Sequence, residues 1–492
     1  MYGKKKFYKT VFLVPLFLLF LCINFTQPLY AANVLGRPRR MFLIKTEHFD
    51  IIYSNLSEES ALLLVQNADS LYEKAAAALN SKSNLHMPVI ISPDSDVLSV
   101  EYTPKPYNRI IIFDSPADYS TAVFDDTMLG LFYREIYRAL LQSIRDPFNQ
   151  TVAKWGTGEI YQPVALFNMP YSFIEGAAYI AESEADGEGR LNDGYFLQIL
   201  SQAKLEGKFP NWMQVTAVRD TYPGTELALA AGAGFSAFLI DAYGVEKYAE
   251  LWQESGKLNP LLTQGVFKNT YGKKLAELWN EFEESVPLPE NLADIEGYGA
   301  EGELVFPKDK DANYEHILIT DYGTVWYDRI RHEVDIYDKN NILKIRQLLF
   351  LANNVERLAL SPDGRYMAVS STQVRNMEGL SASSVWIYDL RERKFLDPKY
   401  ELRDAAIVKT AQGGYAVAGV NVKDVRAKLE VYTLPLGDKR GEQVTLFYSH
   451  QFERNETPFS PVYAGDGFIS YILNKGNEQF LCKACFDGSP AR

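Results

Sequence analysis

The sequence predicts an α+β domain followed by an all-β domain of propeller type. Three observations carry that prediction. After a leader-like stretch, short β-branched runs surround one amphipathic helix, and the chain then turns helical. At Val286-Pro-Leu-Pro289 the helical pattern is broken by two prolines, and the texture changes to strands and turns. Beyond that break a strand–turn–strand unit recurs with a period of about 40–50 residues, the spacing of propeller blades. These shifts divide the chain into an export signal over 1–32, a first domain over 38–288 and a repeat region over 289–492.

The leader has the layout of a secretory signal. Lys4, Lys5, Lys6 and Lys9 form a basic start, Val11 to Phe25 is almost uninterruptedly apolar, and Ala31-Ala32 offers a cleavage point. The apolar run is short for a membrane span and holds Pro15, although an uncleaved anchor is the alternative. Leu19-Phe20-Leu21 before Cys22 lacks the small residue that a lipoprotein signal places there. No further stretch reads as long enough to span a membrane. The expected destination is the periplasm or cell envelope. The formal charge is −13, and removing the four signal lysines leaves −17. Such an acidic chain argues against nucleic acid and against an anionic membrane surface, so membrane contact is expected only through an uncleaved signal.

In the first domain, Met41 to Lys45 and Phe49 to Tyr53 read as strands joined through Thr46-Glu47-His48. A helix follows with Ser57 as N-cap and Glu58 and Glu59 in its first turn. Its apolar stripe runs Leu64, Ala68, Leu71, Tyr72, Ala75, Leu79. Pro88 to Ser92 and Arg109 to Phe113 are the next strands. A second helix spans about Thr127 to Ile144 and stops before Pro147. Leu227 to Ala242 is apolar and rich in small residues, with Gly232 and Gly234 permitting close packing. Val245 to Trp252 and Lys274 to Glu284 are amphipathic.

In the repeat region, Val334-Asp-Ile-Tyr-Asp338, Val385-Trp-Ile-Tyr-Asp389 and Leu429-Glu-Val-Tyr-Thr433 place equivalent tyrosines at 337, 388 and 432. A turn motif interleaves with them: Ser361-Pro-Asp-Gly364, Gln412-Gly-Gly-Tyr415 and Gly465-Asp-Gly467. About four blades or fewer fit the length, at the low end for a closed ring. Cys482 and Cys485 form a single C-x-x-C pair, too few for a zinc ribbon. A disulfide or two free thiols in a strand are the readings, with blade packing as an alternative role.

The chemistry-bearing stretch is Arg134-Glu135-Ile136-Tyr137-Arg138, taken with Pro170-Tyr171-Ser172-Phe173-Ile174-Glu175-Gly176-Ala177-Ala178-Tyr179. In H-E-x-x-H zinc peptidases two imidazoles one helical turn apart bind the metal beside a catalytic Glu. A Glu on a second helix is the third ligand. Here Glu135 and Glu175 occupy the two carboxylate positions, but Arg134 and Arg138 stand where the histidines belong. A guanidinium has no lone pair to give a cation. Arg134 and Arg138 share a stripe with Leu131 and Leu141, so their charges need partners where they leave water. We expect an Arg134/Arg138–Glu135/Glu175 ion-pair cluster in the space a metal would fill, and Glu175→Gln to be destabilising. The plainer readings are an ordinary ion pair on a surface helix, and close helix packing for Glu175-Gly176-Ala177.

With these residues in place, the region from Arg40 to Pro287 resembles the peptidase MA-like (gluzincin) family of bacterial exported proteins. The resemblance includes the opening strand pair, the Arg109 to Phe113 strand, Tyr243-Gly244 and Tyr271-Gly272-Lys-Lys-Leu-Ala-Glu-Leu-Trp279. From Glu301 onward the chain resembles TolB-like propellers, most specifically at Ser361-Pro-Asp-Gly364. The resemblance implies a general base at Glu135 and a third ligand at Glu175. The arginines depart from it, and without a metal nothing lowers the pKa of the attacking water. The expectation is therefore a gluzincin-like domain joined to a propeller, without metal or cofactor, binding a protein or peptide. Peptide carboxylates would suit Arg134 and Arg138, and the propeller face would suit a protein. The enzyme alternatives are a zinc metallopeptidase with an unusual ligand set, or a metal-free hydrolase using Glu135 and Glu175 as a carboxylate pair.

Overall fold

The computed structural model describes residues 34–104, 107–118, 124–144, 169–183, 188–192, 194–216, 225–257, 262–288, 314–329, 331, 333–337, 343–348, 355–374, 380–436 and 444–486. The expected signal with Cys22, and the linker from Pro289 to the start of the repeats, lie outside these residues.

The first half is a mixed sheet covered by helices. Strands β1 (Met41–Lys45), β2 (Phe49–Ser54), β3 (Met87–Ser92), β4 (Ser99–Thr103) and β5 (Arg109–Phe113) run in the order β1-β2-β3-β5-β4. β2, β3 and β5 are parallel, while β1 and β4 pair antiparallel at the two edges. A parallel pair needs a crossover, and helix α1 (Glu58–Ala78) supplies it between β2 and β3. Phe49, Ile51, Val89, Ile91, Ile110 and Ile112 turn the sheet's inner face to Leu64, Ala68, Tyr72 and Ala75 of α1. Asp69 of α1 holds the β1–β2 turn by accepting from Thr46 Oγ1 at 2.8 Å and from the backbone of Glu47 and His48. Ser57 occupies the N-cap position, but its side chain makes no capping bond. A 3₁₀ turn over Asn55–Ser57 leads into the helix instead. β4 is a strand the sequence reading omitted.

Helix α2 (Thr127–Ser143) starts where Asp126 Oδ1 accepts the amide of Leu129 at 3.0 Å, a side-chain N-cap. The helices that follow are α3 (Tyr171–Glu182), α4 (Tyr195–Leu205), α5 (Thr225–Tyr243), α6 (Val245–Ser255), α7 (Leu262–Tyr271) and α8 (Leu275–Ser285). α3 and α5 cross backbone to backbone. A Cβ on Gly176 would lie 2.3 Å from the carbonyl of Gly232, and one on Gly232 would lie 2.0 Å from the carbonyl oxygen of Ser172. Against expectation, the Glu226–Tyr243 segment of α5 is long and apolar enough to span a membrane by length and composition. In this fold its Ala228, Ala231, Ala233, Phe235 and Leu239 are buried in the helical core. α4 and α7 also went unread in the sequence.

The described residues of the second half form four antiparallel sheets: β6–β9 (Tyr314–Thr320, Gly323–Asp328, Glu333–Tyr337, Leu343–Leu348), β10–β13 (Val355–Leu360, Tyr366–Val374, Ser381–Asp389, Lys394–Tyr400), β14–β17 (Arg403–Lys409, Tyr415–Asn421, Lys428–Thr433, Leu446–Gln451) and β18–β20 (Glu456–Tyr463, Phe468–Lys475, Glu478–Cys485). The sequence repeat maps onto this series. Tyr337, Tyr388 and Tyr432 all sit on the third strand of their sheets, and the turn motifs all join first strand to second. Gly364 and Gly413 take φ of 71° and 82° in those turns, which favours glycine. Arg365 after the first turn pairs with Asp389 at 2.8 Å, tying it to the end of the third strand. Each junction between neighbouring sheets is an apolar layer. Val325, Tyr327 and Ile336 meet Leu358, Met367 and Val369; Ala368, Val385 and Ile387 meet Ala405, Ile407 and Val417; Ala418, Leu429 and Val431 meet Ile469, Tyr471 and Ala484. No closed ring of sheets is found among the described residues.

Polar contacts join the two halves. The buried guanidinium of Arg403 donates to the carbonyls of Pro116 and Ala117 at 3.3 and 3.0 Å. The amide of Ser383 donates to Asp96 at 2.7 Å. Arg454 reaches Asp126, the N-cap of α2, at 2.6 Å and donates to Ser60 Oγ at 3.3 Å. Ser60 in turn donates to buried Asp114 at 3.0 Å.

Candidate functional site

The periodicity that makes α2 amphipathic also sets Arg134 and Arg138 one turn apart, with Glu135 three residues before Arg138. α2 packs against α3 and β4, so these side chains point between three elements. Glu135 is fully buried, and the Arg134, Arg138 and Glu175 side chains keep only 14, 15 and 6% of their surface exposed.

The structure brings all four sequence-predicted residues together. Arg134 Nε donates to Glu135 Oε1 at 3.0 Å, and Arg138 Nη1 donates to Glu135 Oε2 at 3.1 Å. The other terminal nitrogen of Arg138 donates to Glu175 Oε2. The backbone amide of Tyr102 on β4 also donates to Glu135 Oε2 at 3.0 Å, the third hydrogen bond to this carboxylate. Glu135 is thus held by its own helix on one side and by the sheet edge on the other.

The cluster is larger than the sequence suggested. Glu182, at the end of α3, lies 3.6 Å from Arg134 and 3.7 Å from Arg190. Arg190 also donates to the hydroxyl of Tyr179 at 3.0 Å. The Tyr179 ring carries the Arg190 and Arg134 guanidiniums 5.2 and 5.9 Å from its centre. Glu182 follows Glu175 by two helical turns on the same face of α3, a spacing that could have revealed it. Arg190 lies beyond the helix end and has no such signal.

Three guanidiniums therefore face three carboxylates and the cluster is neutral. Burial works against the charged form of Arg134, but Glu135 and Glu182 outweigh it and raise its pKa above the ordinary value. Arg138 is raised in the same way, burial being outweighed by Glu135 and Glu175. Burial raises the Glu182 carboxyl despite Arg190 and Arg134. Burial and the Glu175 charge push the Tyr171 phenol up to about 12.

These residues do not fit a metal. The two positions that would carry imidazoles carry groups without a lone pair, and Glu135 and Glu175 are both engaged by Arg138. Among the described residues no group of three or more His, Cys, Asp or Glu side chains is placed to hold a metal ion. Three donors already hold the fully buried Glu135 carboxylate. What the arrangement does is cross-link α2, α3, β4 and the segment after α3. Cys482 and Cys485 of β20 are free thiols, and their spacing puts them on opposite faces of the strand.

No family model matches the chain. Among curated proteins, it is similar to an uncharacterized protein of Treponema pallidum (strain Nichols), with 28% identity over 454 residues. That match covers 91% of this chain and 40% of the relative, so the chain spans about two-fifths of the length of the curated relative it matches. Among solved structures, an aminopeptidase N family protein from Idiomarina loihiensis aligns over 78% of this chain and 69% of its own, at 10% identity and a TM-score of 0.32. The β-propeller domain of the Trilobed protease from Pyrococcus furiosus aligns over 35% of this chain and 57% of its own, at 13% identity and a TM-score of 0.22.

Proposed function

We propose that this chain is an exported, non-catalytic pseudo-metallopeptidase joined to a propeller, acting as a protein- or peptide-binding scaffold in the cell envelope. One observation carries the reading: Arg138 bridges Glu135 and Glu175, the two carboxylates that a gluzincin would turn toward its metal. The side chains that would bind and activate are spent on each other. A peptide carboxylate at Arg134 or Arg138 would have to displace Glu135 or Glu175, so binding falls to the propeller region. Export follows from the leader, and the strongly acidic composition favours a protein or peptide partner over nucleic acid.

The test is elemental mass spectrometry on the purified exported chain after exposure to zinc and dialysis. Substoichiometric zinc is expected. One tightly held zinc per chain, lost in Glu175→Gln, would overturn the reading and establish a metallopeptidase-type site with an unusual ligand set.

A further inference from the structure

The five-stranded sheet of the first half ends in two antiparallel edges. β4 lies against the arginine–glutamate cluster, and β1 is the other edge. Among the described residues no strand pairs with the outer side of β1. Thr46 donates its amide to the carbonyl of Phe49, so along the β1–β2 register the bonded pairs are Ile44–Ile51 and Phe42–Tyr53. Met41, Leu43 and Lys45 therefore turn their N–H and C=O groups outward, where no described backbone group meets them. The side chains leave the edge open too: Phe42 is 37% and Leu43 52% exposed, on opposite faces of the strand. Natural edges are commonly blunted by a charge or a proline, and MFLIK has neither before its last residue.

The flanks of this edge are basic and fixed. Gly36 donates its amide to Asp94 at 3.0 Å and Arg39 donates to the same carboxylate at 2.6 Å, which holds the segment carrying Arg37 and Arg40. Both of those arginines are exposed, and neither pairs with a carboxylate among the described residues. Arg40 lies 5.2 Å over the ring of Phe42. At the other end Lys45 makes a loose 3.5 Å contact with Asp50 and keeps 67% of its side chain in solvent.

We propose that β1 is a docking edge for an extended segment of a partner protein, an apolar stretch with acidic flanks that adds a strand beside Met41–Lys45. Strand addition gives the outward backbone groups their partners, and carboxylates on either side suit Arg37, Arg40 and Lys45. A second copy of the chain suits the edge less. Antiparallel pairing of two β1 strands about Leu43 would bring the Lys45 of one beside the Arg40 of the other, like charge against like. An anionic bilayer suits it less still, because lipid would leave the open N–H and C=O groups unsatisfied. This surface lies on the first half, apart from the propeller region, and does not depend on whether the metal site is lost.

Fluorescence anisotropy tests this with the purified chain and a labelled peptide, Glu-Val-Thr-Val-Thr-Val-Glu, beside its lysine-flanked counterpart. The acidic peptide should bind, and the lysine-flanked one at least about tenfold more weakly. Leu43→Pro removes an outward N–H without breaking a bond to β2 and should weaken binding at least about tenfold. Arg37→Glu combined with Arg40→Glu changes two surface side chains and should do the same. Far-UV circular dichroism checks that both variants fold, and the arginine pair decides if the proline variant does not. No binding of the acidic peptide, equal binding of the two peptides, or variants that bind like the wild type would overturn the proposal. So would a dimer in light scattering that Leu43→Pro dissociates, or phosphatidylglycerol vesicles that bind the chain when the peptide does not. Zinc analysis reads the other site separately, so a failed edge leaves the pseudo-metallopeptidase reading untouched.

Discussion

Replacing Glu135 with glutamine changes one buried charge and almost no volume. Glu135 is fully buried and accepts from Arg134 at 3.0 Å, Arg138 at 3.1 Å and the Tyr102 amide at 3.0 Å. Glutamine keeps one acceptor oxygen, and its NH₂ must point at a guanidinium or at the Tyr102 amide, donor against donor. The cluster also passes from neutral to a net positive charge. Removing one partner of a buried ion pair costs about 3–5 kcal/mol. The lower end applies, since Arg134 keeps Glu182, Arg138 keeps Glu175 and both guanidiniums retain a little solvent contact. A loss of ~3 kcal/mol in a domain of this size lowers Tm by about 6–12 °C. Scanning calorimetry of Glu135→Gln beside the wild type measures it. Arg138→Met in the same chain should recover part of the loss, because it removes the guanidinium left unmatched. An unchanged or raised Tm in the single variant would refute the reasoning. It is how a chain behaves when a carboxylate is kept for activity at the expense of stability.

Three further outcomes are expected. Burial pushes the Asp114 carboxyl from 3.8 up to about 6 against the pull of Ser57, Ser60 and Arg454. Its folded pKa exceeds the unfolded one, so the protonated group's contribution is complete below about 4 and is lost as pH rises through about 6. Asp114→Asn should therefore gain up to ~3 kcal/mol at pH 7, with the gap closing toward pH 4; urea titrations at both pH values that show a constant gap would contradict this. Asp126→Ala removes the α2 cap and leaves Arg454 without its carboxylate, so a loss of about 2 kcal/mol is expected in chemical denaturation, and a loss below 0.5 kcal/mol (roughly the noise of surface changes) would count against the clasp. Gly232→Ala puts a methyl against the Ser172 carbonyl and should destabilise by about 1–3 kcal/mol; a neutral result in a thermal melt would mean that α3 and α5 part easily.

The sequence made the motif helix and its partner legible because their signals are local. Pro147 in the sequence marks where the motif helix must stop, and i, i+4 spacing sets Arg134 and Arg138 on one stripe. The tyrosine repeat and its glycine turns likewise marked equivalent positions in successive sheets before any pairing was known. What escaped was what depends on distant partners. β4 is a short edge strand, SVEYT, with a Glu at its centre. Nothing in it announces a strand until β5 lies beside it, yet its Tyr102 amide is one of the three groups that hold Glu135. Arg190 joins the cluster only because the chain after α3 turns back over Tyr179. α5 was legible as a closely packed helix from its small residues, and Gly232 lies at the crossing with α3; the same composition passes a membrane-span test, which the sequence reading had not expected.

The neutrality of the six-residue cluster limits what mutation can do to it. Arg134, Arg138 and Arg190 balance Glu135, Glu175 and Glu182, so changing either motif arginine to a neutral histidine leaves the buried cluster with an excess carboxylate charge. A metal would repair the deficit only after both imidazoles were in place, and the intermediate chain has neither the cation nor the guanidinium. Any path to a metal centre here therefore crosses a stability valley at its first step. On the pseudo-metallopeptidase reading proposed above, a helix pair locked this way would behave as a ratchet, since one-residue drift offers no downhill route to a metal site.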